Sequence, residues 1–218
     1  MTTPTVRLFQ ALDRFHAARP WDHNAHYHRW IMRQLPRRFD RALDVGSGTG
    51  DLARLLAGRA ATVRGLDADP AIVDRARELT PSASPVTFAV GDAPAAITEG
   101  PYDVITCVAT LHHLPFSDTL TAFRQHLSPG GTLVVVGLAR ARSVGDHLLG
   151  MAALVMNVAM AWLKNRGRRA PRPASMTAPT RPATMTFADI ADEARTVLPG
   201  VRLRRRLFWR YTLVWHNR

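Results

Sequence analysis

Asp44 stands two residues ahead of the first of three glycines set at alternate positions, in Leu43-Asp44-Val45-Gly46-Ser47-Gly48-Thr49-Gly50-Asp51. Alternate glycines let the backbone turn sharply and let a ligand approach with no Cβ in the way. Turns of this kind that hold a pyrophosphate have the spacing G-x-G-x-x-G. Here the third glycine comes one residue early and an acid precedes the first. A carboxylate beside the turn is a poor neighbour for a pyrophosphate and suits a cation better, such as a ligand carrying an ammonium and a sulfonium. Asp67 follows Gly50 by 17 residues, close to the roughly 20-residue offset of an acid that accepts from ribose hydroxyls. Asp69 precedes Pro70 and reads instead as a helix N-cap, with proline at the first helical position. Asp92 follows an apolar run, and the pair His112-His113 offers imidazoles as general bases.

These residues need elements to hold them. Arg41 to Val45 reads as a strand that runs into the glycine turn, and Asp51 to Gly58 as the following helix. Leu52, Leu55 and Leu56 should face inward there, with Gly58 ending the helix. Thr62 to Asp67, Val86 to Val90, Tyr102 to Val108 and Thr132 to Gly137 read as four further strands. Ser117 or Asp118 should cap a helix that ends near Leu127, and Ser128-Pro129-Gly130-Gly131 should turn the chain into the fifth strand. Residues 5–37 read as helix interrupted at Pro20. Thr186 and Asp189 form a capping pattern for a late helix. Val201 to Leu207 and Trp209 to Trp215 alternate as a hairpin. Strands alternating with helices, and a ligand turn after the first strand, imply an open doubly wound α/β sheet.

A chain of 218 residues favours one domain, and 46% apolar residues suffice for a sizeable core. The single cysteine, Cys107, excludes an internal disulfide framework and a cysteine-rich metal site. It reads as a small buried residue of the fourth strand. Met1 to Gln10 lacks the apolar core of a secretory signal, so a cytoplasmic location is expected. Leu148 to Leu163 is nearly uncharged but shorter than the roughly 20 residues a bilayer requires, so no membrane span is expected. The net charge of +12 fits an anionic partner or simply a solvated arginine-rich surface. His23, His26 and His28 have no acid or cysteine at a familiar zinc spacing, and no metal is assigned to them.

The run D-x-G-x-G-x-G at residues 44–50, Y-D-V-I at 102–105, L-H-H-L at 111–114 and L-S-P-G-G-T-L at 127–133 together resemble the class I S-adenosylmethionine-dependent methyltransferases of the small-molecule type. The matches cover residues 41–139. The resemblance implies a Rossmann-like three-layer α/β sandwich, with a mostly parallel seven-stranded sheet and an antiparallel last strand. It implies one methyltransferase domain over 1–218: a helical lid at 1–40, a cofactor core at 41–139, a substrate insertion at 140–200 and a closing hairpin at 201–218. S-adenosylmethionine is the implied cofactor. Its expected contacts are Asp44, Gly46, Ser47, Gly48, Asp67, Ala68, Asp92, Ala93 and Val108, with Asp92 accepting from the adenine amino group. Tyr27 resembles the tyrosine of the family's aromatic lead-in, although Trp21 replaces the usual first aromatic, and packing is its other reading.

His112 is the expected base, and His113, Arg140 and Met151 the expected acceptor contacts. Being adjacent, the two histidines should point differently, so that one faces the acceptor. The acceptor is expected to be a small molecule methylated on O, N or C, in a setting such as bacterial secondary metabolism. An apolar wall of Met151, Met156, Met160 and Trp162, with the basic loop 164–182 as a lid, suits an apolar acceptor with an acidic end. A nucleic-acid methyltransferase is the alternative, disfavoured by Cys-Val-Ala-Thr where such enzymes carry Asn/Asp-Pro-Pro-Tyr; a noncatalytic scaffold is the other. A monomer or homodimer is expected.

Overall fold

The computed structural model describes residues 12–171, 173, 176 and 181–218. Helix α1 covers residues 12–18. The elements that follow are α2 (His23–Gln34), β1 (Phe39–Val45), α3 (Asp51–Leu56), β2 (Ala60–Asp67), α4 (Pro70–Glu78), β3 (Val86–Val90) and β4 (Tyr102–Val108). A 3-10 turn at Leu111–His113 leads to α5 (Phe116–His126) and β5 (Leu127–Leu138). Helices α6 (Val144–Lys164) and α7 (Phe187–Val197) precede β6 (Arg202–Arg206) and β7 (Arg210–His216).

The seven strands form one sheet in the order β3-β2-β1-β4-β5-β7-β6. Pairing is parallel from β3 through β5, and β7 runs antiparallel to both β5 and β6. A parallel sheet must be covered on both faces, and the central residues of its strands are accordingly mostly apolar and buried. On one face Leu43, Val45, Ile105, Leu133 and Val135 pack with Leu120 and Phe123 of α5 and Ile190 and Ala194 of α7. On the other, Ala42, Val63, Val104, Val134 and Val136 pack with Ile31 of α2, Leu56 of α3 and Val73 of α4. The residues of β1 alternate between these two cores, as the period of two demands. The three expected layers result.

Several local expectations shift. Strand β5 begins at Leu127, so the Ser-Pro-Gly-Gly stretch lies within the strand and meets β4 through a register shift between Tyr102 and Val104. Pro115, not Ser117 or Asp118, is the N-cap residue of α5, and Ser117 Oγ donates to Glu193 on α7. Leu55 faces outward, because α3 has only six residues and its buried positions are Leu52, Ala53 and Leu56.

Helix α6 departs most. It buries small residues, Ala153 and Ala161, against Trp21 and Phe208. Its large apolar side chains Leu148, Met151, Val155, Met156, Trp162 and Leu163 face outward. Among the described residues no helix is long and apolar enough to cross a membrane.

Candidate active site

The loop between β1 and α3 is pinned to the end of β2. Gly46 and Ser47 donate their backbone N–H groups to Leu66 O at 2.7 and 3.1 Å. Gly48 N–H donates to Asp67 Oδ2 at 2.9 Å, and Asp69 N–H donates to Asp67 Oδ1 at 3.1 Å. Asp67 therefore ties the glycine loop to its own strand end, and each carboxylate oxygen keeps a further lone pair for a ligand. Asp69 Oδ1 accepts from Ala71 N–H and Ile72 N–H at the start of α4, the expected cap. Two glycines have distinct reasons. A Cβ at Gly46 would lie 1.8 Å from Thr110 Oγ1, so that turn exists for close approach. Gly48 has φ +52° and nothing within 4 Å of where its Cβ would be, so it opens onto free space.

Asp44 lies beneath this loop and is 2% exposed. Thr106 Oγ1 donates to its Oδ1 at 2.7 Å. Burial raises its pKa from 3.8 to about 7, with the Asp67 charge adding to the rise and the Thr106 bond opposing it. A buried carboxyl in this state gains from a cation placed beside it. Nearby, Ser47 Oγ is buried without a hydrogen-bond partner.

A groove of about 670 Å³ runs over these groups. The described residues place Asp44, Asp51, Asp67, Asp69 and Asp92 along the side made by the glycine loop and the ends of β1, β2 and β3. The rest of the lining comes from the start of α2, the 3-10 turn and the start of β7, with Asp22, His23, Asn24, His28, His112, His113, Arg181 and Arg210.

That wall is built by long-range ties. Asp22 Oδ1 caps α2 by accepting from Asn24 N–H and Ala25 N–H. The buried Asn157 of α6 accepts from Trp21 Nε1 at 2.6 Å and lies 2.9 Å from His23 Nε2. The β6–β7 turn has Phe208 at φ +61° and Trp209 at φ +58°, positions that hairpins normally give to glycine or asparagine. Phe208 persists there because its ring is buried against Trp21, His23 and His26. Arg210 follows at once. Its Nη2 donates to Asn24 Oδ1 at 3.0 Å and its Nη1 to Phe208 O at 3.3 Å, while its Nε is buried with no partner.

His112 and His113 stack, with ring centroids 3.9 Å apart, and both line the groove, contrary to the expectation that only one would face it. Burial, then the charges of His113 and Arg210, lower the His112 pKa to about 4, against a hydrogen bond to the Arg181 backbone. Its Nδ1 is buried without a partner. His112 is neutral at neutral pH and a weak base.

Of the residues singled out from sequence, Asp44, Gly46, Ser47, Gly48, Asp67, Ala68, Asp92, Ala93, Val108, His112 and His113 all line the groove. Three do not. Tyr27 is buried, and its hydroxyl donates to Leu207 O at 2.8 Å, so its packing reading is the one realised. Met151 is 66% exposed on the outer face of α6, whose inner face meets Trp21 and Phe208 through Ala153, Asn157 and Ala161. Arg140 is exposed, and its backbone N–H donates to Met185 O beside the start of α7. The expected wall of Met151, Met156, Met160 and Trp162 thus lies outside the groove, whose methionine is Met176.

The early part of the loop 164–182 is tied down: Ala170 N–H donates to Ala18 O, and Arg19 Nε donates to Gly167 O. Residues 172, 174, 175 and 177–180 of the expected lid lie outside the described residues. His23, His26 and His28 do not converge: His26 packs on Trp21 and Phe208, while His23 and His28 line the groove. Sequence reading missed Arg210, Asn24 and Thr110. For Thr110 a signal existed, since a polar residue just past a strand end in this sheet type is well placed to meet the first turn.

The groups present fit S-adenosylmethionine. A buried acid seeks a cation, the opening at Gly48 leaves room for a ligand, and Ser47 Oγ lacks a partner. Comparisons with known proteins agree. A family model described as "Methyltransferase domain" matches residues 42–131. An uncharacterized methyltransferase of Mycobacterium bovis is 30% identical over 203 residues, covering 90% of this chain and 96% of the relative. A ubiquinone biosynthesis O-methyltransferase of Thiobacillus denitrificans is 33% identical over 129 residues, covering 53% of this chain and 56% of the relative. The crystal structure of a TehB-like SAM-dependent methyltransferase from Corynebacterium glutamicum superposes with a TM-score of 0.57 at 19% identity, over 99% of this chain and all of the other.

Proposed function

The chain belongs to the class I S-adenosylmethionine-dependent methyltransferases, and from that premise we propose that it methylates a small-molecule acceptor held between the glycine loop and the α2–β7 wall. The observation that carries the reading is the groove over the glycine loop, where the buried Asp44 carboxyl and the unpartnered Ser47 Oγ lie near Asp67 and Asp92. When bound, the cofactor supplies an electrophilic methyl on a sulfonium, a good leaving group. The protein's task is then alignment and exclusion of water.

On this reading Asp44 holds the cofactor's ammonium, Asp67 its ribose hydroxyls and Asp92 its adenine amino group. Gly46, Ser47 and Gly48 give the backbone path. Ala68, Ala93 and Val108 are the apolar contacts. His112 and His113 face the acceptor. With a pKa near 4, His112 is too weak a base to deprotonate an alcohol or an ammonium efficiently. With His113 it shapes the space in which the acceptor sits. The acceptor is a small molecule on this reading, in keeping with the Thiobacillus relative's being named for ubiquinone biosynthesis. A place in bacterial secondary metabolism and a cytoplasmic location complete the proposal, with residues 1–218 acting as one domain. Calorimetric titration with S-adenosylmethionine tests it: binding with unit stoichiometry is expected, and no binding to the folded protein would overturn it.

A further inference from the structure

Helix α6 carries an apolar face that lies outside the groove. Ten large apolar side chains are exposed among the described residues, and six of them are on this helix. They are Leu148, Met151, Val155, Met156, Trp162 and Leu163, between 42% and 71% exposed. Exposed apolar residues scattered singly are ordinary, whereas a contiguous set on one element marks an interaction surface. The six recur at helical spacing and share the face opposite Ala153, Asn157 and Ala161. Asn157 is the one polar residue between 148 and 163, and it is buried toward Trp21 and His23, so no polar side chain interrupts the stripe.

The stripe ends in positive charge. Lys164, Arg166, Arg168 and Arg169 follow it, all exposed and none in an ion pair among the described residues. The chain turns back here: Gly167 N–H donates to Trp162 O at 2.8 Å, and a Cβ on Gly167 would lie 3.0 Å from Trp162 Nε1. The basic turn is thereby held against the last large ring of the stripe. Asp146 is the only acid from 140 to 170, and it pairs with Arg205.

We propose that the outer face of α6 docks on an anionic phospholipid surface, with the stripe at the headgroup–acyl boundary and the basic turn on the lipid phosphates. An apolar face carrying Trp and Leu, beside clustered Lys and Arg, is the pattern of a helix that lies in the plane of a membrane. The association is peripheral, since no described helix is long and apolar enough to cross. A second copy of the chain meets like charge on this face. Packed in parallel, two α6 helices set their 164–169 clusters against each other; packed antiparallel, each cluster meets Arg140 and Arg142. The acids near those two arginines, Asp146 and Asp189, are engaged as parts of helix caps.

The test is co-sedimentation of the full chain with vesicles, a readout independent of whether the groove binds a cofactor. Vesicles of equal parts phosphatidylcholine and phosphatidylglycerol should carry the protein down. Vesicles of phosphatidylcholine alone should bind it at least about tenfold more weakly, since each Lys or Arg near an anionic surface contributes about fivefold. Met151→Gln with Val155→Gln should weaken binding to the anionic vesicles at least about tenfold. Arg166→Gln with Arg168→Gln and Arg169→Gln should do the same and narrow the difference between the two lipids. Both variants should keep the wild-type melting temperature, which separates lost docking from lost folding. No sedimentation of the wild type with the anionic vesicles would overturn the proposal. So would equal binding to both lipids, or wild-type binding by the Met151→Gln, Val155→Gln protein. In analytical ultracentrifugation without lipid, a wild-type dimer that this glutamine pair converts to monomer would assign the face to a second copy and likewise overturn it.

Discussion

Replacing Asp44 by Asn should stabilise the ligand-free protein at alkaline pH while destroying cofactor binding. Asp44 is buried, and its carboxyl titrates near 7 in the fold against an ordinary 3.8. Between those values the folded protein holds a proton that the unfolded chain has released. Stability from this group therefore falls as pH rises from 3.8 to about 7, and is flat above. At about 1.4 kcal/mol per pH unit, the cost at pH 8 is on the order of 4 kcal/mol. Asparagine keeps the acceptor for Thr106 but buries an amide N–H₂, which offsets part of the gain by about 1–3 kcal/mol.

The pH dependence avoids that ambiguity. From pH 5 to pH 8 the wild type should lose about 3 kcal/mol that Asp44→Asn keeps. Other groups titrate in that range, such as His23 and His28 with lowered pKa values, but they are common to both proteins and cancel. Urea unfolding at the two pH values measures the difference directly. Affinity of the wild type for S-adenosylmethionine should rise about tenfold per pH unit up to about 7 and then level, because the cofactor's ammonium requires the ionised acid. Parallel stability profiles for the two proteins, or an unchanged cofactor affinity in Asp44→Asn, would refute the reasoning.

Asp67→Ala should weaken S-adenosylmethionine at least about tenfold, by about 1.5–3 kcal/mol per lost charged hydrogen bond, whereas Asp69→Ala should cost about 1 kcal/mol of stability as a lost cap. Calorimetry and thermal melts separate the two, and the reverse pattern would mean the acids are misassigned. Gly48→Val should abolish cofactor binding, since its Cβ meets no protein atom but would occupy ligand space, and strain at the positive φ should lower the melting temperature as well; unchanged affinity by calorimetry would contradict the placement. Met176 and Arg181 line the groove, so their amides should gain protection from hydrogen exchange when an acceptor binds; protection unchanged by acceptor would rule out a closing segment.

The glycine-loop side of the groove was legible because its signals are local. Glycine spacing, an acid at a strand end and Asp69-Pro70 each act within a few residues, and the structure puts each where the pattern required. The acceptor side depends on tertiary packing. The period of α6 announced a helix, but large apolar residues normally mark the inner face, and here Trp21 and Phe208 meet Ala153, Ala161 and the polar Asn157, with Met160 at the margin. Arg210 is one arginine among many in Arg202-Leu203-Arg204-Arg205-Arg206-Leu207-Phe208-Trp209-Arg210. Only the turn, with two residues in the left-handed region, points it into the groove. Tyr27 was read in two ways because an aromatic near a helix start serves a lid or a core equally well.

The two walls of the groove differ in how far along the chain their parts must travel to meet. The tie from Gly48 to Asp67 spans 19 residues, while those from Tyr27 to Leu207 and from Asn24 to Arg210 span 180 and 186. Closing a long loop costs more chain entropy than closing a short one, and non-local contacts form late. The glycine-loop wall is therefore expected to assemble while β7 is still unformed, and the α2–β7 wall to be completed last. On the proposed assignment of the two walls, mild denaturation is expected to weaken acceptor binding before cofactor binding.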